Sequence, residues 1–345
     1  MAYTDIDKPT DYFNTKLYTG TGSSNAITGV GFQPDWVWIK CRDDTHNHQV
    51  FDVVRGVHKR MRTDTDGAET ESSESLKSFD SDGFTLGTQA NVNNPSNTFA
   101  SWNWLASNTT ASNTDGSITS TVSANTTSGF SIVSYTGNGS TNQSVGHGLS
   151  QAPEILITKG RTNVQNWAVY GSVIGVDKRL YLNTTDAVDT LSGYLPADTS
   201  SVINLSGTSS MSNINTSSID YITYAFHSVK GYSKIGTYTG NGSTDGTFVY
   251  TGFKPAFIIV KRTDAIQSWY LLDNKRNTFN PEDKYFKVDA SSAEDTLSFF
   301  DFVSNGFKAR GTGIGFNSSG GSFIYMAFAE SPFVTSTGIP TVARW

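Results

Sequence analysis

"YTGNGSTNQSVGHGLSQAPEILITKGR", running from Tyr135 to Arg161, returns almost word for word at Tyr238–Arg262 as "YTGNGSTDGTFVYTGFKPAFIIVKR". A looser copy, "YTGTGSSNAITGVGFQPDWVWIKCR", occupies Tyr18–Arg42. The three tyrosines lie 117 and 103 positions apart. That period is too long for a solenoid, whose repeats run about 20–50 residues, and is the size of a small domain. Each copy opens with a short segment ending in Tyr-Thr-Gly and passes through a Gly/Asn/Ser turn. An apolar segment ending in lysine follows, at Lys40, Lys159 and Lys261. Each copy closes with an alternating aromatic segment: "TFASWNWLA", "DYITYAFHS" or "SFIYMAFAE".

Outward from these phrases, the segments are short, rich in Tyr, Phe, Ile, Val and Thr, and bounded by turn residues. In "FIYMAFA", Phe323, Tyr325, Ala327 and Ala329 alternate onto one face. No window has a long apolar pattern at helical spacing, although Ser291–Phe302 could form a turn or two of helix. The pattern predicts an all-β chain of three tandem antiparallel β-sandwich domains of jelly-roll or lectin-like type. The boundaries read as an N-terminal arm at 1–15, repeats at 16–106, 129–230 and 231–330, and a C-terminal tail at 331–345. Between the first two repeats, 107–128 is nearly all Ser, Thr and Asn and reads as a linker, with Ile118–Val122 able to add an edge strand. The second junction is tight. Repeats two and three are therefore expected to be rigidly related, and repeat one more mobile.

Composition excludes several classes of function. A net charge of -6 and the absence of clustered Lys and Arg argue against nucleic acid. The opening "MAYTDIDKPTDYF" has neither a basic start nor an apolar stretch, so no secretory leader is expected. No segment has the roughly 20 apolar residues of a membrane-spanning helix. A single cysteine, Cys41, allows no internal disulfide and fits folding in a reducing cytoplasm.

The internal repeats discriminate among candidate residues, because a structural residue should recur in every copy. Asp64, Asp66 and Glu69 in "TDTDGAE" resemble part of a calcium loop but lack its remaining oxygen ligands. Turn formation explains them without a metal, and no cofactor is expected; calcium is the one ion left open. His46 and His48 would share a strand face, but no third ligand stands in register. The glycines of "YTGNGST" lack the Gly-Lys-Ser/Thr of a phosphate loop, and no serine sits in a Gly-x-Ser-x-Gly elbow. The chain is therefore read as a non-enzyme. Trp36, Trp38, Trp102 and Trp104 are replaced in register by other apolar residues, as core positions are. Trp167 and Trp269, flanked by Gln165, Asn166, Gln267 and Ser268, are the better surface candidates. They stand with His48, which occupies the same place in repeat one, as the three candidate ligand-binding residues.

Written out in full, "YTGNGS…HGL…APEILITK", "GFQPDWVWIK", "FDVVRG" and "SFDSDGFTLG" resemble a repeat domain of virion proteins of tailed bacteriophages, frequent in phages of marine and freshwater bacteria, including cyanophages. The resemblance covers about Asp7–Glu330. It implies no catalytic residues. It implies a structural protein on the exterior of the phage particle, assembled in the host cytoplasm. The first expectation is a tail fibre or tail appendage subunit in host attachment, with a host glycan or protein as its target. The alternatives are a capsid decoration protein and a carbohydrate-binding module. Partners would be other virion proteins, docked through the terminal arms, and copies of the chain itself, most plausibly as a trimer. Neither nucleic acid nor membrane insertion is expected.

Overall fold

The computed structural model describes residues 3–191, 195–206 and 213–341. Repeat one contains β1 (Phe13–Thr19), β2 (Asn25–Thr28), β3 (Trp36–Cys41), β4 (Gln49–Asp52), β5 (Lys59–Arg60), β6 (Thr70–Glu71), β7 (Leu76–Asp80), β8 (Gly83–Leu86), the short α1 (Ala90–Asn93) and β9 (Thr98–Trp104). β10 (Ala111–Asn113) and β11 (Ser120–Asn125) follow. Repeat two contains β12 (Phe130–Thr136), β13 (Ser144–Gly146), β14 (Ile155–Gly160), β15 (Ala168–Tyr170), β16 (Lys178–Tyr181), β17 (Asp189–Thr190), β18 (Val202–Asn204) and β19 (Asp220–Phe226). Repeat three contains β20 (Ser233–Thr239), β21 (Phe248–Tyr250), β22 (Phe253–Arg262), β23 (Trp269–Asp273), β24 (Glu282–Lys287), β25 (Asp295–Val303), β26 (Gly306–Ala309) and β27 (Ser322–Pro332). The chain is all-β, and every pairing between these strands is antiparallel.

One four-strand order recurs: β1-β9-β3-β4, β12-β19-β14-β15 and β20-β27-β22-β23. The repeated phrase makes the first turn of each copy, and a residue the sequence reading passed over pins it. Asn93, Asn215 and Asn317 are completely buried. Their side-chain oxygens accept the backbone N–H of Thr21, Asn138 and Asn241 at 2.8, 3.0 and 3.1 Å. The hydroxyls of Tyr18, Tyr135 and Tyr238 donate to the carbonyls of Val92, Ile214 and Phe316, the residues just before those asparagines. Gly20, Gly137 and Gly240 fit because a Cβ would lie 2.1–2.4 Å from the carbonyl oxygen of Asn94, Thr216 or Ser318. The phrase repeats because the turn repeats.

The central strands are apolar on both faces, which requires two cores. One face of each feeds a single core shared by all three repeats. It contains Trp36, Trp38, Trp102 and Trp104 from the first; Ile155, Ile157, Tyr224 and Phe226 from the second; and Phe257, Ile259, Met326 and Phe328 from the third. Rings interlock across the repeats. Trp36 stacks on Tyr224 at 4.3 Å, Trp104 meets Phe328 at 5.6 Å, and Phe226 meets Phe328 at 5.9 Å. The opposite faces build a separate outer core in each repeat, such as Val37, Ile39, Phe51, Phe84 and Phe99 in the first. Phe323, Tyr325, Ala327 and Ala329 do share a face, in the outer core of repeat three.

This architecture corrects several expectations. Repeat one is not a mobile outlier, because its four strand tryptophans lie in the common core. The segment 107–128 is not a free linker. β10 and β11 extend the second sheet, β11 overlapping the anticipated strand but lying inside the sheet, since β10 forms the edge, and Val122 joins the core of repeat two. Residues 295–303 form a strand, not a helix, because Phe299, Phe300 and Phe302 are buried in the outer core of repeat three. His46 and His48 lie in the loop between β3 and β4, not on a strand. The arms are part of the fold: Ile6, Pro9 and Phe13 are buried, and Phe13 packs on Phe257 and Phe328. Ser331 and Pro332 belong to β27. Deleting 1–15 would therefore remove core residues rather than isolate a docking function. Residues 1–2 and 342–345 of the arms lie outside the described residues.

Strand register gives the molecule two distinct ends. Phe13, Trp104 and Trp36 are register partners at one end of the first sheet, as are Phe130, Phe226 and Ile155, and Ser233, Phe328 and Phe257. Both inter-repeat connections, the N-terminal arm and the C-terminal tail leave from that end, here called the base. The arm and the tail meet there, where Ser336 donates to Asp7 from its backbone N–H at 2.6 Å and from its hydroxyl at 2.5 Å. The three Tyr-Thr-Gly turns and the loops after the lysine-ended strands lie at the other end. The turn tips there (Ser23, Ser24, Asn138–Thr141 and Ser243–Asp245) are exposed. Among the described residues, no helix is long and apolar enough to cross a membrane.

Candidate functional site

The three repeats meet at three seams, so each seam can be compared with the other two. At every seam a ring nitrogen of one repeat bonds a carbonyl of its neighbour. Trp167 Nε1 donates to Arg62 O and Trp269 Nε1 to Tyr181 O, both at 2.8 Å, and His48 Nε2 lies 3.1 Å from Lys287 O. Trp38 Nε1 donates to His48 Nδ1 at 2.9 Å, so Nδ1 accepts and Nε2 carries the proton given to Lys287. Burial, reinforced by the nearby Lys40, pushes the His48 pKa well down and keeps the ring neutral. The three candidate ligand-binding residues thus occupy equivalent places, but in the interior, at 0, 2 and 0 % exposure for Trp167, Trp269 and His48. They latch the repeats together and present no surface. Their polar neighbours misled the sequence reading: Gln165 and Gln267 donate their backbone N–H groups across the same seams, to Asp66 O and Thr185 O.

Two seams carry an arginine–carboxylate clasp. Between repeats one and two, Arg161 donates twice to Glu69, at 3.1 and 3.0 Å, and Arg55 bridges Glu69 and Asp52. Tyr224 closes the set by donating to Asp52 at 2.7 Å. Between repeats three and one the pattern recurs. Arg42 holds Glu294 through two 3.0 Å bonds, Arg276 bridges Glu294 and Asp273, and Trp102 Nε1 donates to Asp273. Burial opposes the charges of Glu69 and Glu294, but their paired arginines outweigh it and hold both carboxylates below the ordinary range. Glu69 of the suspected calcium fragment is therefore committed to two arginines, while Asp64 accepts from Asn47. Among the described residues, no group of three or more His, Cys, Asp or Glu side chains is placed to hold a metal.

The third seam, between repeats two and three, lacks the clasp. Gly171, Ile174, Val188, Thr263 and Met326 stand where the others have aspartate, arginine, glutamate, arginine and an aromatic donor. The backbone bond survives, Val188 N to Thr263 O at 2.8 Å, but the side-chain closure is gone. A groove of about 760 Å³ opens there. Val173, Ile174, Val188, Tyr238, Phe323 and Ile324 supply apolar lining, and Lys178, Asp264 and threonine hydroxyls supply polar groups. This suits reversible binding of an amphipathic ligand. Its shape is that of a cleft with apolar walls and a few polar groups, as small-molecule sites have. The signal was legible: "FDVVRG" and "LDNKRN" share Asp-x-x-Arg, and "YGSVIG" does not.

The lysines that end the three apolar strands are all fully buried. Each donates to backbone carbonyls, Lys261 across the open seam to Thr185 O at 3.1 Å. Desolvation brings each down to about 8. In the unfolded chain lysine titrates near 10.4, so at pH 9 the unfolded state binds more protons and stability rises with pH from about 8. Buried Cys41 opposes this, because desolvation pushes its thiol up to about 11 in the fold, whereas it ionises at about 8.5 once unfolded. The tyrosines exposed by unfolding follow, so the rise ends between about pH 9 and 10. Unfolding at pH 9 is expected to take up about one proton net. Stability measured against pH in denaturant checks this, and Lys159→Met should reduce the uptake by about one.

A family model described as a domain of unknown function (DUF7483) matches residues 8–332. No curated protein and no solved structure matches the chain.

Proposed function

The chain belongs to the DUF7483 family. From the resemblance of its repeats to virion proteins of tailed bacteriophages, we propose that it is a non-enzymatic surface protein of a tailed-bacteriophage particle, and from its geometry that it is anchored by its base and presents its loop end outward. One observation carries the seating: the described parts of both terminal arms and both inter-repeat connections leave from the base, while the three exposed turns gather at the opposite end. A module built this way can be seated on a larger assembly without covering its free loops, and such loops on a rigid scaffold are where binding surfaces concentrate. The proposed place is a tail appendage contacting the host surface, with the groove at the open seam as its candidate cleft. Capsid decoration is the competing site on the particle. Each chain already sets three repeats around one core, and the expected association of copies, most plausibly as a trimer, would be built from such units.

Gold-labelled antibody against the chain, applied to intact particles, tests this. Label confined to tails supports the appendage, label spread over heads supports decoration, and label on neither overturns the virion assignment.

A further inference from the structure

In repeat two the chain closes one side of its own sandwich. Ile118, just before β11, lies parallel to β13 with Val145 as its register partner. Its N–H donates to Ser144 O at 2.9 Å, Ser144 N–H donates to the Ser117 hydroxyl at 2.9 Å, and the Ser120 hydroxyl donates to Gly146 O at 2.7 Å. The Ile118 side chain packs on the outer core of repeat two. Repeat three has no such segment, because β20 follows β19 directly after residues 227–232.

The strand of repeat three equivalent to β13 is β21: buried Val145 has Ile203 as its register partner, and buried Val249 has Phe307. Phe248 and Tyr250 are therefore the counterparts of Ser144 and Gly146, and of Ala26 and Thr28 in repeat one, where Ile27 partners Phe84. Small residues have become aromatic ones, and both are exposed, Phe248 at 46 % and Tyr250 at 61 %. Ala309 N–H donates to Thr247 O and Thr251 N–H to Asn305 O, both at 3.0 Å. Backbone groups alternate along such a ladder, so those of Phe248 and Tyr250 turn away from β26. Among the described residues β21 pairs with β26 alone, at the end of its eight-stranded sheet. The result is an aromatic edge strand with unpaired donors and acceptors, which folded proteins ordinarily blunt or cover.

We propose that β21 is a docking edge for an extended segment of a partner protein, added parallel to β21 as residues 117–120 are added to β13. This goes beyond the place on a particle proposed above and does not depend on it. The occupant's chemistry follows from repeat two. A backbone N–H of the segment donates to Phe248 O, as that of Ile118 does to Ser144 O. The apolar residue opposite Val249 turns inward, as Ile118 does. Its two neighbours lie on the exposed face beside Phe248 and Tyr250, where β-branched or aromatic side chains pair best with the rings. The nearby Asp245–Lys308 pair, at 2.5 Å, cancels its own charge, so the edge selects a neutral strand.

The probe is a fluorescently labelled peptide with the sequence of Thr114–Val122, titrated with the full chain and followed by anisotropy, beside the same peptide carrying Ser117→Val and Thr119→Val. Saturable binding of both is expected, with the valine peptide about tenfold tighter through two cross-strand pairs. Phe248→Ser with Tyr250→Gly copies repeat two and should bring the two peptides to equal affinity. Tyr250→Pro removes an outward N–H, leaves the ladder to β26 intact and should abolish binding. In the parent, bound peptide should slow hydrogen exchange at β21. No anisotropy change with either peptide at about 1 mM chain, or binding unchanged in Tyr250→Pro, would overturn the site. Should that variant fail to fold, slowed exchange elsewhere than at β21 in the parent overturns it alone. Self-association of the parent that Tyr250→Pro abolishes would assign the edge to a second copy and overturn the separate partner.

Discussion

Trp36→Ala is expected to destabilise the entire chain, not repeat one alone, by about 3–5 kcal/mol. Trp36 is 1 % exposed, and its ring touches Trp38 and Trp104 of its own repeat and Phe130, Tyr224 and Phe226 of the next. Truncation removes the transfer free energy of an indole and leaves a hole that three sheets cannot close together. Two reporters in different repeats read the result. Cys41, fully buried in repeat one, should become alkylatable at the same denaturant concentration at which β22 and β27 of repeat three lose hydrogen-exchange protection. Loss of protection confined to repeat one would show that the repeats fold separately.

The second large effect belongs to the clasps. Arg276→Ile leaves Asp273, whose side chain is 0 % exposed, without its cation, and costs about 3–5 kcal/mol. Adding Asp273→Gly copies the pair that repeat two carries at the open seam, Gly171 and Ile174. The double variant should be more stable than Arg276→Ile alone, with a favourable coupling of about 0.5–3 kcal/mol. Recovery stays partial, because Trp102 Nε1 then loses its acceptor. Lys59→Ala, which breaks an exposed pair with Glu71, should change stability by less than about 0.5 kcal/mol. Equal losses from Arg276→Ile and Lys59→Ala in chemical denaturation would mean that the clasps do not hold the ring together.

Much of this was legible in the residues. The threefold phrase predicted three equivalent turns, and apolar replacement in register predicted that Trp36, Trp38, Trp102 and Trp104 are core. Closure of the repeats around one core was harder to see, although "WVWI" and "FIIV" carry its mark: strands apolar at every position bury both faces, and a free-standing sandwich needs only one. The seam residues were hidden for a different reason. Trp167 and Trp269 sit among amides that look like surface but spend their backbone N–H groups on the neighbouring repeat. Asn93, Asn215 and Asn317 are far in sequence from the turns they pin, and nothing local marks an asparagine as buried. The open seam could have been found by asking which copy breaks a shared motif, since Gly171 and Ile174 break Asp-x-x-Arg in the middle repeat only.

Differential scanning calorimetry of the intact chain tests most directly whether three repeats form one structure. A shared core predicts a single transition whose calorimetric and van't Hoff enthalpies agree. For 345 residues at about 0.7 kcal/mol each, that enthalpy is about 240 kcal/mol near 60 °C. Three separable transitions, or a van't Hoff enthalpy about one third of the calorimetric value, would contradict the closed ring and leave three independent modules on one chain.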